Sequence, residues 1–337
     1  MESSISEFIF IKQFLTDYLP NRAYVRLNAI LVGLTTRMTV AGISLALVFG
    51  LWSADSHGGD QPVVALKDIA YPTGIDYWPA QKKVLFADFG GGIYSIQEDG
   101  TRIAQLMTVR ESDCSRATRL RVDEARNRLW IMSAAAICVY NLQSLQLMRH
   151  LPVGDMSRYR LANGLTDLAL DALGNAYAID TGIAPTIYRI ESATFAVVMW
   201  NKAAPPRDAG VYTPRYFPLN ALAVTPQGKH LLYVNAYSGT LHVMDTTGKQ
   251  HSTVSLPHKL YAVNALVAVP NVTILDGIDL YAVSAKNNSI TMVALNGGMN
   301  TAHTRVIATQ YLDQPLAASW CGKHYSSRIA NCCGIRK

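Results

Sequence analysis

Residues Asn220–Asp245 read NALAVTPQGKHLLYVNAYSGTLHVMD: an apolar strand, a polar turn, a second apolar strand, a small-residue turn and a third strand. The same order recurs from Thr73 (TGIDYWPAQKKVLFADFGGGIYSI), Thr118 (TRLRVDEARNRLWIMSAAAICVYNL), Thr166 (TDLALDALGNAYAIDTGIAPTIYRI) and Asn264 (NALVAVPNVTILDGIDLYAVSAKNNSITMVAL). A further β-rich stretch usually follows, as in TRIAQLM, LQLMRHL, FAVVMW, HSTVSL and TRVIAT. A repeat of roughly 45–55 residues is the length of a four-stranded blade in a radial propeller.

Strands such as VLFADF and LLYVNA are apolar on both faces. One antiparallel sheet cannot bury both faces alone, so it needs a like sheet on each side. The expected fold is therefore all-β: a six-bladed β-propeller of four-stranded antiparallel blades spanning residues 63–325. Five blades are the quoted copies. The sixth is split, with Val63–Ala70 (VVALKDIA) pairing beside the C-terminal strands so that closure removes exposed edges. This last blade is irregular, since PLAASWCGKHYSSRIANCCGIRK begins like a repeat and degenerates after Tyr325, leaving a basic, cysteine-containing tail over 326–337.

Half of the residues are hydrophobic and 16% are charged, which fits one large globular core and excludes a disordered chain. The net charge of +6 raises the question of nucleic acid. Lys323, Arg328, Arg336 and Lys337 crowd the end of the chain, and no basic run with interleaved aromatics marks its body. The clustered footprint of a nucleic-acid binder is missing, which argues against such a partner.

Ahead of the repeats, Met38–Ala54 holds an apolar run behind Arg37 that ends in the small residues Ser53 and Ala54. A basic flank, a short apolar segment and a small-residue site resemble a secretory signal, with the mature chain beginning near Ala54 or Asp55. Residues 1–37 in front of it are read as an extension that either precedes the true initiator Met38 or belongs to a type II anchor; a buried helix docked on the propeller is the bland alternative. The expected location is secreted, with the membrane a partner only if residues 38–54 remain as an uncleaved anchor. Asn271-Val-Thr273 and Asn287-Asn288-Ser289 are glycosylation sequons, placed in an inter-strand turn and at a hairpin tip. Cys114, Cys138, Cys321, Cys332 and Cys333 show no zinc-finger spacing, and their odd number leaves at least one thiol without an internal partner. Their pairing stays open, with Cys138 read as a core residue of the strand AICVY.

The stretches NALAVTPQGKHLLYVNAYSGTLHVMD and LALDALGNAYAIDT are similar to repeats of the SMP-30/gluconolactonase and paraoxonase-like propellers, a resemblance that covers about Val63 to Leu312. It implies a calcium-type metal at the ring's centre, held by side chains two positions before the first apolar residue of each innermost strand, a Glu, an Asp and Asn residues among them. With Ile75, Leu120, Leu168, Leu222 and Leu266 as the equivalent apolar positions, the channel positions here are Thr73, Thr118, Thr166, Asn220 and Asn264. Asn220 fits the resemblance. Thr73 stands where it would put Glu, and Asn264 where it would put Asp. A hard divalent cation draws much of its affinity from carboxylates, so the expectation is no cofactor, with calcium on Asn220 and Asn264 as the alternative.

The nearest acids are Asp76 and Asp167. Alternation along a strand turns Asp167 away from the axis towards a neighbouring blade, unless the strand's first residue is splayed as it enters the channel. In a lactonase or esterase reading, a metal polarises the carbonyl and a nearby base activates water. Asn264 cannot be that base; Asp167 is the candidate, ahead of His251 and of His242, which reads as blade packing. No G-x-S-x-G elbow supports a serine hydrolase. Gly90-Gly91-Gly92 joins two strands and precedes no helix, so it reads as a hairpin and not as a phosphate loop.

The third repeat, GNAYAIDTGIAPTIYRI, resembles a secreted fungal branch of the same superfamily, which includes a trichothecene-cluster propeller protein and a skin-yeast allergen. That branch lacks the full metal set, and the resemblance implies a small-molecule partner within secondary-metabolite (mycotoxin) biosynthesis or virulence. Two long inter-blade loops offer pocket walls: NKAAPPRDAGVYTPRYFPL, with Arg215 and Tyr216, and HLPVGDMSRYRLANG, with Arg158, Tyr159 and Arg160. Both precede an innermost strand and so belong on the face where the axial Thr and Asn residues enter. Two function classes remain open. One is a binding propeller that takes a small, largely uncharged metabolite at the channel mouth; the other is a calcium-dependent lactonase or esterase of the gluconolactonase type.

Overall fold

Short apolar runs containing β-branched and aromatic residues, punctuated by Gly, Asn and Asp turns, fold into consecutive antiparallel strands. The computed structural model describes residues 72–98, 100–109, 114, 116–153, 164–181, 186–202, 219–248, 251–271, 277–308 and 319, all within the compact unit Gln61–Lys337. The proposed signal or anchor at 38–54, the extension 1–37, the segment Val63–Ala70 and the tail 326–337 lie outside them. Among the described residues, no helix is long and apolar enough to cross a membrane.

Five four-stranded sheets follow one another along the chain. Blade 1 comprises β1 (Pro72–Trp78), β2 (Lys83–Asp88), β3 (Gly92–Gln97) and β4 (Ala104–Thr108). Blade 2 comprises β5 (Arg119–Asp123), β6 (Arg128–Met132), β7 (Ala136–Asn141) and β8 (Leu147–Pro152). Blade 3 comprises β9 (Leu165–Leu170), β10 (Ala176–Asp180), β11 (Thr186–Ile190) and β12 (Val197–Lys202). Blade 4 comprises β13 (Leu219–Val224), β14 (His230–Asn235), β15 (Thr240–Asp245) and β16 (His251–Thr253). Blade 5 comprises β17 (Val263–Pro270), β18 (Ile278–Ser284), β19 (Ser289–Leu295) and β20 (Ala302–Ala308).

The continuous apolar runs are explained by what lies on each side of a blade. Along β2, Leu85 and Ala87 pack towards blade 2, whereas Val84 and Phe86 pack towards blade 5. Along β6, Leu129 and Ile131 face blade 1, and Trp130 and Met132 face blade 3. In β10, Tyr177 and Ile179 join blade 4; in β14, Leu232 and Val234 join blade 5. Every other side chain thus serves a different inter-blade core, as the two-residue period of a strand requires. The outermost strands, by contrast, are open to solvent: β4 and β8 are mostly exposed.

This packing corrects the expected blade number. Ile75, Val84, Phe86 and Ile96 of blade 1 share one core cluster with Ala265, Val269, Tyr281, Val283 and Ile290 of blade 5. Blade 5 therefore packs directly on blade 1, and among the described residues no sixth sheet stands between them. The propeller is five-bladed among the described residues, not six-bladed. An apolar pattern such as Val63–Ala70 does not say whether a sixth sheet has a core to join, and blades 1 and 5 already share one that includes Phe86 and Tyr281.

Candidate ligand site at the channel mouth

The innermost strands start at one face of the ring, and an ion pair fixes their arrangement. Arg119 on β5 is 8% exposed and Asp167 on β9 is 0% exposed. The Arg119 Nε donates to Asp167 Oδ1 at 2.9 Å. Its Nη1 donates to the carbonyl of Thr118 at 2.8 Å and reaches that of Thr73 at 3.4 Å, while its Nη2 donates to the carbonyl of Asn264 at 2.6 Å. The guanidinium thus touches backbone of blades 1, 2 and 5 and a carboxylate of blade 3. In a closed ring of five, a group in contact with four blades sits on the central axis.

Asp167 completes the set. Its Oδ1 also accepts from its neighbour Leu168 N–H, and its Oδ2 accepts from Leu222 N–H of blade 4, both at 2.9 Å. Arg121 Nη2 approaches Oδ1 at 3.7 Å. A second strap of the same kind joins blades 1 and 2, where Asp76 Oδ2 accepts from Val122 N–H at 2.8 Å; its Oδ1 accepts from the Ser319 hydroxyl at 2.7 Å. Gly74 is required beside this knot: a Cβ there would lie 2.7 Å from Arg119 Cα and 2.8 Å from Leu120 N.

The five channel positions ring this pair, each bonded mostly to backbone. Thr73 donates its hydroxyl to the carbonyl of Ala117 in the next blade. Thr118 donates to Met132 O at 3.2 Å. Asn220 Nδ2 donates to Val263 O at 2.8 Å, bridging blades 4 and 5. Asn264 Oδ1 accepts from Ala285 N–H at 2.9 Å. Thr166 differs, because its hydroxyl is buried with no hydrogen-bond partner. Among the described residues, the Thr166 hydroxyl, Asn220 Oδ1 and Asn264 Nδ2 remain without a protein partner. Arg215 and Tyr216, and with them the loop 203–218, lie outside the described residues.

The other described sequence candidates are blade-packing, hairpin and turn residues. His242 is buried, stacks on Tyr233 at 5.0 Å, and meets the hydroxyls of Thr240 and Thr253 with its two ring nitrogens; it packs a blade. Gly90–Gly92 forms the β2–β3 hairpin, with Gly91 at φ 96° donating its N–H to Asp88 O. Asn287 is exposed at the β18–β19 tip, on the mouth side, with its Nδ2 3.5 Å from Tyr261 O. Asn271 lies in the turn after β17 at the far side, its Nδ2 held by Asp279 Oδ1 at 2.6 Å.

Sequence reasoning missed several residues. Arg119 occupies the same repeat position as Asp167, one before the reference apolar residue, so opposite charges at equivalent positions of adjacent blades were a readable signal. Tyr237 and Tyr261, 45% and 53% exposed, rise from mouth-side loops, as does Phe89, over whose ring Arg116 lies at 5.9 Å. Asp88 and Asp180 end β2 and β10 on the same side, each engaged with other groups. The groups with shifted titration lie elsewhere. Burial pushes Tyr177 up to about 12, helped by Asp171, and burial raises the Asp279 carboxyl above its ordinary value despite the Asn271 hydrogen bond. Both stand at the far ends of their strands.

No sequence-family model matches the chain, and no curated protein sequence matches it. Solved structures do resemble it in fold. The major allergen Mala s 1 of Malassezia sympodialis superposes with a TM-score of 0.56 at 13% identity, covering 74% of this chain and 82% of its own. A luciferin-regenerating enzyme superposes with a TM-score of 0.53 at 12% identity over 75% of this chain and 81% of its own. A calcium-binding protein, regucalcin, from Agrobacterium tumefaciens gives 0.52 at 11% identity over 75% and 79%. At such identities the likeness is one of propeller fold.

Proposed function

We propose that this propeller binds a small, largely uncharged metabolite at the channel mouth and does so without a metal. The observation that carries the reading is the set of unmet polar groups around an axis already filled by a cation. The Thr166 hydroxyl, Asn220 Oδ1 and Asn264 Nδ2 offer both donors and an acceptor, and Tyr237 and Tyr261 add apolar walls, the combination expected of a small-molecule site. A strongly anionic ligand would ask for converging cations that are free to bind it; the nitrogens of Arg119 are spent on Asp167 and three carbonyls.

The donor set does not fit calcium. Asn264 Oδ1 is taken by a backbone N–H, the carbonyls of Thr73, Thr118 and Asn264 already accept from Arg119, and a divalent ion there would face the guanidinium charge. Calcium sites draw affinity from carboxylates, and Asp167 is committed to Arg119, Leu168 and Leu222. The same commitments leave Asp167 neither room nor a free oxygen for drawing a proton from water. We assign it to positioning the inner strands.

We further read the protein as secreted. The Cys114–Cys138 disulfide, the exposed Asn287 and the apolar run before Ala54 support an oxidising compartment. A role in fungal secondary metabolism rests on the third-repeat resemblance alone.

The test is a melting-temperature screen of the purified propeller against a panel of neutral and anionic small metabolites, each with calcium or with chelator. A neutral compound should raise the melting temperature equally in both, and Thr166→Val and Asn220→Ala should each erase the gain. Calcium-dependent hydrolysis of a lactone in the panel would instead establish the gluconolactonase-type alternative.

A further inference from the structure

We propose that the reduced chain carries a zinc-type site on Cys114 Sγ, Cys138 Sγ and a ring nitrogen of His150, distinct from the channel mouth. Strand β7 fixes Cys138, and the antiparallel register sets His150 of β8 directly opposite it. Cys114, in the connection between blades 1 and 2, forms the disulfide with Cys138. The ligand atoms of all three residues lie within 4.8 Å of one another, and among the described residues no other three His, Cys, Asp or Glu side chains converge in this way.

The chemistry of the donors selects the ion. Two thiolates and an imidazole suit zinc, with Zn–S about 2.3 Å and Zn–N about 2.0–2.1 Å. Ligand atoms around such an ion stand roughly 3.3–3.8 Å apart, closer than the present outer limit and wider than a bonded sulfur pair. Breaking the disulfide lets the sulfurs part by the ångström or two that insertion needs. Both cysteines are fully buried among Ala117, Leu129, Ile131 and Tyr140, whereas His150 is exposed on an edge strand. The ion would therefore enter past His150 and keep its fourth position open to water, the arrangement of a three-ligand zinc centre.

Disulfide and metal exclude each other. An external dithiol breaks the Cys114–Cys138 bond by exchange, supplying two electrons and two protons and leaving as its own disulfide. Zinc then displaces the two thiol protons into solvent and takes His150 as the neutral ring. Reoxidation by a disulfide donor re-forms the S–S bond, reduces the donor to a dithiol and releases the ion. The newly made chain, before oxidation, is the form that holds metal.

The experiment uses the full chain with Cys321, Cys332 and Cys333 changed to serine, reduced with a phosphine and titrated with Co2+. One equivalent should produce a sulfur-to-cobalt charge-transfer band that Zn2+ abolishes. The oxidised chain and Cys138→Ser should show no band, and His150→Ala should weaken binding about 100-fold or more. His150→Gln checks the same ligand with less change at the strand edge, and far-UV circular dichroism follows the fold throughout. No band in the reduced chain, unchanged affinity in both His150 variants, or a reduced chain that unfolds and is not restored by metal would each overturn the proposal.

Discussion

Arg119 and Asp167, at equivalent positions of neighbouring blades, form a buried ion pair through which the inner strands of all five blades are tied. The guanidinium holds carbonyls of blades 1, 2 and 5, and the carboxylate holds its own strand and blade 4. A buried pair of this kind gains little over a well-packed apolar replacement, yet loses much when one partner is removed, because the other charge is stranded.

Arg119→Met should therefore lower stability by about 3–5 kcal/mol, read as a fall in the urea midpoint. The double change Arg119→Met/Asp167→Leu should cost less than the single one, since no charge is left alone. A double variant weaker than the sum of its parts would show that the bonds to Asn264 O and Leu222 N, and not the charge pairing, hold the ring.

Calcium should leave the melting temperature unchanged relative to chelator. A site filled at a hundred times its dissociation constant would add ~2.7 kcal/mol, a shift easily seen. Such a shift, lost in Asn220→Ala, would mean that amide and hydroxyl oxygens bind an ion beside Arg119 after all.

Gly74→Ala should destabilise by about 1–3 kcal/mol, the usual cost of overpacking, since its methyl meets the backbone of Arg119 and Leu120 at 2.7 and 2.8 Å. Gly298→Ala is the control: its nearest neighbour is 3.7 Å away, and its effect on the urea midpoint should be small.

Asp279→Asn should raise the melting temperature at neutral pH. Burial holds the folded-state pKa of this carboxyl above its ordinary 3.8, so the native state binds the proton more tightly than the unfolded chain. Its ionisation costs stability at pH above the folded pKa, and that cost fades as pH falls through it. The advantage of the amide, which still accepts from Asn271, should therefore be present at pH 7 and gone in acid. An advantage independent of pH would assign the effect to packing.

The repeat and its strands were legible because each blade must bury two faces, and short continuous apolar runs such as VLFADF and LLYVNA, bounded by turn residues, fit that demand. The hairpin at Gly90–Gly92 was legible from chemistry that only a turn uses. Blade number was not. It depends on blades 1 and 5 sharing one core, with Phe86 and Tyr281 both in it, a relation between residues far apart in sequence that no local pattern displays. The channel positions follow from the register of the repeat, but their bonding partners are backbone groups of the same or an adjacent blade, which leave no mark on the sequence. Arg119 went unremarked because an arginine between Thr118 and Leu120 looks like a solvated charge until its carboxylate is placed.

Repeat genes change length by duplicating or losing whole units, and most repeat folds tolerate it because each unit meets only its neighbours. This ring breaks that independence at one point. Adding or removing a blade would alter the width of the centre, and one side chain of fixed reach could no longer span from Thr73 to Asn264 while meeting Asp167. The arginine acts as a gauge of circumference: it ties the number of blades to the reach of one side chain, and a variant with another blade would have to surrender the axis to water, to metal or to a new residue.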